Sequence, residues 1–245
     1  MLEDRDVISL VSGLLRIETQ RDKQKKVGAS QISDPCTYHL AKALVGDTQG
    51  ETKYWLGGKI GTAVHMLIED SIEKADLSDF PMLEGALVEK KIHLGHLDGY
   101  GDINSKPDLA LVKENHLIDW KTSTRDKTRK IAKLLEPPLS INGEEVTRKP
   151  DTKTEYTLQK YVAQTQLYAW GLNNEGIKID RISLVFINRD GTMETDIFPY
   201  SFDYSEELAL AVWTRLKNLW TNLQKGVELE QLEKSEDCFK CSMNI

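Results

Sequence analysis

Residues 108–121, Asp-Leu-Ala-Leu-Val-Lys-Glu-Asn-His-Leu-Ile-Asp-Trp-Lys, constrain the fold of this chain more than any other stretch. Two short apolar runs, 108–112 and 117–122, flank a polar Glu114-Asn115 pair, the pattern of an antiparallel hairpin. A two-residue turn pairs positions summing to 229, so 110 faces 119 and 108 faces 121. Side chains alternate along a strand, which puts Asp119 and Lys121 on one face and turns Trp120 away. The same register adds Asp108 to that face, so two carboxylates and an ammonium converge at one end of the hairpin. Carboxylates that close repel, and a hard divalent cation, Mg²⁺ or Mn²⁺, between them removes the conflict. Such an ion polarises a phosphoryl oxygen and lowers the pKa of a bound water. A lysine beside it stabilises charge developing on a phosphate. A plain Asp–Lys ladder on a solvated sheet face fits the same pattern.

Apolar periodicity predicts helices over 4–16, 58–75, 156–172 and 205–225, with Ser33-Asp34-Pro35 as cap and first turn of another running to about residue 44. Strand-like runs lie at 87–94, 108–112, 117–122, 182–188 and 193–198. This mixture implies an α/β domain with a central mixed sheet flanked by helices. His65 and Glu69 stand four apart on one face of the 58–75 helix, and Gly57, Gly58 and Gly61 near its start permit close backbone approach. Gln164 and Tyr168 share a face of the 156–172 helix. The stretch 123–155 interrupts the regularity with Pro137-Pro138, Asn142-Gly143 and Pro150, and is too long for a plain connection.

Taken in order, Gly61-Thr-Ala-Val-His65, Asp108, Ile118-Asp-Trp-Lys-Thr-Ser123 and Gln164-x-x-x-Tyr168 resemble the motifs of the RecB-type branch of the PD-(D/E)XK nuclease superfamily. Within it the likeness is to phage exonucleases allied to the CRISPR-adaptation iron–sulfur nucleases. It covers residues 30–245 and implies a restriction-endonuclease-like core there, with a basic insert at 123–155, preceded by an N-terminal helix and basic connector over 1–29. It further implies His65, Asp108, Asp119 and the Trp120 backbone carbonyl as metal ligands, with Glu69 at a related acidic position. Lys121 becomes the catalytic lysine, and Gln164 and Tyr168 its helical companions. The implied activity is Mg²⁺- or Mn²⁺-dependent deoxyribonuclease, an exonuclease acting on single- or double-stranded DNA ends in phage-type recombination or replication. A recombination or annealing protein is the implied partner. The alternatives are a structure-specific or single-strand endonuclease on the same core and a non-catalytic DNA-end-binding accessory protein.

The formal charge of −7 (32 Lys+Arg, 39 Asp+Glu) argues against a nucleic-acid partner only if charge is averaged over the chain. Residues 121–133 hold six basic side chains against Asp126 alone, and Glu228 to Asp237 holds five acids against Lys234. Arg125, Lys127, Arg129, Lys130 and Lys133 are therefore candidate DNA-binding residues, since phosphate contacts dominate nonspecific affinity; a solvated helix face is the plainer explanation. No apolar run approaches the ~18 residues of a membrane span, and the opening MLEDRDVISL lacks the pattern of a signal peptide. A cytoplasmic protein (in the host cytoplasm if phage-encoded) with three reduced cysteines is expected. Cys36-x-x-His39 and Cys238-x-x-Cys241 together form a Cys₃His set suited to zinc. The related nucleases place an iron–sulfur cluster on one N-terminal and three C-terminal cysteines, and the third C-terminal cysteine is missing here. Zinc, an iron–sulfur cluster and metal-free thiols all remain open at this point.

Overall fold

A computed structural model describes residues 4–15, 26–47, 55–136, 139–141, 144–146 and 151–242. Helices α1 (Asp4–Leu15), α2 (Ala29–Ile32), α3 (Thr37–Leu44) and α4 (Trp55–Lys74) precede five strands. These are β1 (Leu87–Val88), β2 (Ile92–Leu97), β3 (Gly101–Ser105), β4 (Leu109–Leu111) and β5 (His116–Ser123). Next come α5 (Arg125–Leu135), a small hairpin of β6 (Leu139–Ile141) and β7 (Glu144–Val146), and α6 (Thr152–Asn174). The chain continues through β8 (Arg181–Asn188), β9 (Ile197–Asp203), α7 (Glu206–Gln224) and α8 (Phe239–Ser242).

The main sheet is mixed, in the order β1-β4-β5-β8-β9. Strands β5 and β8 run parallel from His116↔Arg181 to Ser123↔Asn188, and the other neighbours are antiparallel. A parallel pair needs a long crossover, and the segment containing α5 and α6 supplies it. One sheet face, with Ala110, Leu117 and Ile182, packs on Leu167 and Leu172 of α6 and Leu216 of α7. Further along that face Leu184 and Phe186 meet Ile131 of α5. The opposite face, with Leu109, Leu111 and Trp120, takes Ile68 and Ile72 of α4. The architecture is thus α/β, a central mixed sheet between helical layers. Among the described residues no helix is long and apolar enough to cross a membrane.

The hairpin register differs from the expected one. Leu109 faces Ile118 and Leu111 faces His116, so paired positions sum to 227 rather than 229. The loop spans four residues: Asn115 adopts a left-handed φ of 51° and its N–H donates to the Val112 carbonyl at 3.3 Å. A shift of two residues preserves the faces, but it moves Asp108 from opposite Lys121 to beside Asp119 and Trp120.

Other boundaries moved for local reasons. The expected strand 87–94 breaks at Glu89, whose φ of 46° ends β1 and sends β2 to pair with β3 in a separate sheet. In the expected strand 193–198, residues Glu194–Asp196 form a 3₁₀ turn, because Asp196 accepts the Thr192 and Met193 N–H groups. Ser33-Asp34-Pro35 does not cap α3. Cys36 occupies the cap position, while Asp34 is buried and bound to the Cys36 N–H and to Tyr156 and Lys160. The insert contains α5, the β6–β7 hairpin and the start of α6; its Pro137-Pro138, Asn142-Gly143 and Pro150 lie outside the described residues. So does most of the basic N-terminal connector, whereas Val27 and Ala29 already belong to the core.

Gly95 sits at the register shift of the β2–β3 pair with φ of +147°. A Cβ there would stand 2.4 Å from Cζ2 of Trp213, a core residue of α7. Gly95→Ala is expected to lower unfolding free energy by about 2–3 kcal/mol, combining overpacking with an unfavourable backbone conformation. Urea denaturation checks this, and a loss under about 0.5 kcal/mol contradicts it.

Candidate active site

Strand β5 alternates as the sequence requires, and Asp119 and Lys121 emerge on the face covered by α6, with Trp120 on the α4 side. Lys121 Nζ lies 2.6 Å from Asp119 Oδ2 and donates to Gln164 Oε1 at 3.2 Å. One turn further along α6, Tyr168 OH accepts from Gln164 Nε2 at 2.6 Å. That bond fixes the orientation of the amide, so its carbonyl and not its NH₂ meets the lysine. The four side chains form one line from carboxylate to phenol, with Asp119, Gln164 and Tyr168 buried and Lys121 partly exposed.

On the other side of Trp120, α4 comes close to the strand. Of the three early glycines, Gly61 is the one a side chain would crowd, with a Cβ 3.2 Å from Thr122 Oγ1. The approach brings His65 Nδ1 to 3.1 Å from Asp108 Oδ1, while Asp108 Oδ2 accepts the Trp120 N–H at 3.0 Å. His65, Glu69 and Glu89 each offer a ligand atom, all within 4.8 Å of one another. Glu89 is the functional candidate that sequence reasoning missed. It occupies the strained turn that ends β1, and its N–H donates to the Asp108 carbonyl at 3.1 Å. An acid interrupting an apolar strand pattern was the available signal.

Burial is the main cause that pushes the Asp119 carboxyl up to about 6; Asp108 adds to the rise and Lys121 opposes it. Burial alone would lower the Lys121 ammonium, but the Asp119 charge outweighs it and holds that pKa well above the ordinary value. Tyr168 is raised, first by burial and then by Asp119, so it keeps its proton. His65 Nδ1 and Asp119 Oδ2 are buried and meet Asp108 and Lys121 as close ionic contacts at 3.1 and 2.6 Å. Asp108, Asp119, Glu69 and Glu89 with the His65 imidazole make an oxygen-rich set beside the Lys121 ammonium. Such a donor set fits Mg²⁺ or Mn²⁺.

The basic run forms α5, which leaves β5 after a single residue. Thr128 and Ile131 are buried, and Arg129, Lys130 and Lys133 are exposed. Lys127 lies 5.9 Å above the Tyr161 ring, which Lys121 also approaches at 5.1 Å. Arg125 is committed elsewhere, in a two-pronged pair with Asp196 at 2.8 Å, and Lys130 pairs with Asp126 at 3.0 Å.

Cys36, His39, Cys238 and Cys241 also converge, although they come from opposite ends of the sequence. His39 Nδ1 lies 3.7, 3.2 and 3.4 Å from the sulfurs of Cys36, Cys238 and Cys241, and the sulfurs of Cys36 and Cys241 are 3.7 Å apart. Tyr156 donates its hydroxyl to Asp34 beside this cluster.

No family model matches the chain, and no curated protein matches it. Among solved structures it is similar to an alkaline exonuclease from Laribacter hongkongensis, at 16% identity over 84% of this chain and 90% of that one, with a TM-score of 0.48. The same enzyme in complex with dAMP gives 16% identity, the same coverage and a TM-score of 0.47. A phage-related exonuclease from Haemophilus somnus 129PT matches at 12% identity over 82% of this chain and 95% of that one, with a TM-score of 0.41.

Proposed function

We propose that the chain is a divalent-metal-dependent deoxyribonuclease of the PD-(D/E)XK type that digests DNA from an end. The observation that supports it is the line Asp119–Lys121–Gln164–Tyr168 beside Asp108 and His65, two carboxylates next to one fixed, partly exposed ammonium. Asp108, Asp119, His65 and the Trp120 carbonyl are the proposed ligands of a Mg²⁺ or Mn²⁺ ion, with Glu69 and Glu89 alongside. When bound, the ion supplies Lewis-acid polarisation of the scissile phosphate and acidifies a water.

The protein side chains do the rest. Lys121 stays protonated at neutral pH, so it acts as a donor to the charge growing on the phosphate and not as a base. Asp119 and Gln164 hold its Nζ from two sides, and Tyr168 locks Gln164. Lys127, Arg129 and Lys133 on α5 would meet the phosphate backbone as it leaves the site. The ordered motifs resemble those of phage exonucleases, which favours action at ends. Linear and closed circular DNA, each incubated with Mg²⁺ and with Mn²⁺, test this. Degradation of the linear form alone is expected, whereas nicking of the circle assigns an endonuclease.

Without a cation Asp119 keeps its proton up to about pH 6, and an incoming ion must displace it. Apparent Mg²⁺ affinity is therefore expected to weaken by up to about tenfold per pH unit as pH falls below that value. Calorimetric titrations at about pH 5 and pH 7 measure it. Equal affinities at both would show that Asp119 is not a ligand.

A further inference from the structure

The second donor cluster, far along the chain from the carboxylates, has a geometry specific enough to choose among the open possibilities. A tetrahedral zinc ion with Zn–S of about 2.3 Å and Zn–N of about 2.0–2.1 Å holds two sulfurs about 3.8 Å apart and a sulfur and a nitrogen about 3.5 Å apart. The separations here are 3.7 Å between the sulfurs of Cys36 and Cys241 and 3.2, 3.4 and 3.7 Å from sulfur to nitrogen, with all four donor atoms within 4.8 Å of one another. All four donors fit around a single point. A cubane iron–sulfur cluster gives each thiolate its own iron, which spreads the sulfurs well beyond this spacing. We propose that Cys36, His39, Cys238 and Cys241 bind one zinc ion, a structural clasp that fastens the C-terminal segment to α3.

Both halves of the site are prepared for this. Cys36 occupies the cap of α3 and His39 lies on its first turn, so one short element presents two donors. The loop before them is held independently of any metal. Asp34 accepts from the Cys36 N–H at 3.1 Å and pairs with Lys160 of α6 at 2.6 Å, and Arg215 of α7 donates to the carbonyls of Ile32, Asp34 and Pro35. The other half has contacts of its own. Between Gly226 and Ser242 the described contacts include Tyr38 N–H to the Glu233 carbonyl, Thr152 Oγ1 to Asp237, Lys234 over the Tyr38 ring, and Leu229 and Leu232 against the core. A closed set of four protein ligands, three of them thiolates, is the composition of a structural and not a catalytic zinc site. The clasp shares no residue with the proposed nuclease centre, so its metal content can be read with the cleavage site disabled.

The test is elemental analysis of the full chain purified without chelator, with cobalt as a spectroscopic replacement. One zinc per chain is expected. Cobalt in its place should give the red-region bands of a tetrahedral ion and a sulfur-to-metal charge-transfer band, which carboxylates do not produce. Cys238→Ser/Cys241→Ser should lose the metal, while Lys121→Ala should keep it in full. Because the double variant could fail to fold, hydrogen exchange of the wild type is read as well, and zinc should slow exchange over residues 227–242. Iron with acid-labile sulfide in anaerobically prepared protein would overturn the proposal in favour of a cluster. Reduced protein that takes up neither zinc nor cobalt would overturn it outright.

Discussion

Replacing Lys121 by alanine is expected to slow DNA cleavage by at least about 10²–10³-fold at saturating Mn²⁺, the loss seen when one preorganised donor to a developing oxyanion is removed. The side chain is well placed for that part. It is partly exposed, so a phosphate can reach it, yet Asp119 and Gln164 fix its ammonium. Its pKa is held above the ordinary value, and the group donates throughout the neutral range. The variant should bind Mn²⁺ at least as tightly as wild type, since it removes a positive charge from the ligand cluster. Metal affinity by calorimetry, far-ultraviolet circular dichroism and single-turnover rates separate these effects. A rate within about threefold of wild type would remove Lys121 from the chemistry.

Asp119→Asn is expected to have an equally large effect on activity and the opposite effect on stability. As a carboxylate Asp119 is a proposed ligand, and its loss should abolish measurable metal binding and lower cleavage by about 10³-fold. In metal-free protein, however, its charge is a burden. Its folded pKa of about 6 lies above the unfolded value near 4, so its stabilising contribution is present in acid and lost as pH rises through 6. At neutral pH the buried charge opposes folding, and the amide removes that penalty. Without divalent ions the variant should gain about 1–3 kcal/mol, or several degrees in Tm. Added Mg²⁺ should then stabilise wild type and leave the variant unchanged. A variant less stable than wild type in chelator would show that Asp119 serves the fold through its pair with Lys121.

Much of this site was legible because period-two alternation is a strong constraint. Once β5 was read as a strand, Asp119 and Lys121 had to share a face opposite Trp120, and a register error of two residues did not disturb that. Helical spacing likewise placed Gln164 with Tyr168 and His65 with Glu69. What the sequence did not reveal depended on turn geometry or on contacts distant in sequence. Four loop residues rather than two, permitted by a left-handed Asn115, moved Asp108 next to Asp119. Glu89 entered the site because a positive φ broke the 87–94 segment that reads as one strand. Asp34 looked like part of a helix start, yet its partners Tyr156 and Lys160 lie more than 120 residues away, beyond the reach of local pattern. For Cys36, His39, Cys238 and Cys241 the residue types suggested a metal, but the spacing of their donor atoms was needed to distinguish one ion from a cluster.

The most direct test of a metal-dependent cleavage centre built on Asp108, Asp119 and Lys121 is single-turnover cleavage of end-labelled DNA followed across a Mn²⁺ titration. No product in chelator and a rate that saturates with Mn²⁺ are expected, with both the Lys121→Ala and Asp119→Asn proteins slower by at least about 10²-fold across the same range. Cleavage that persists undiminished in chelator, or DNA that is bound but uncut at every Mn²⁺ concentration, would contradict it.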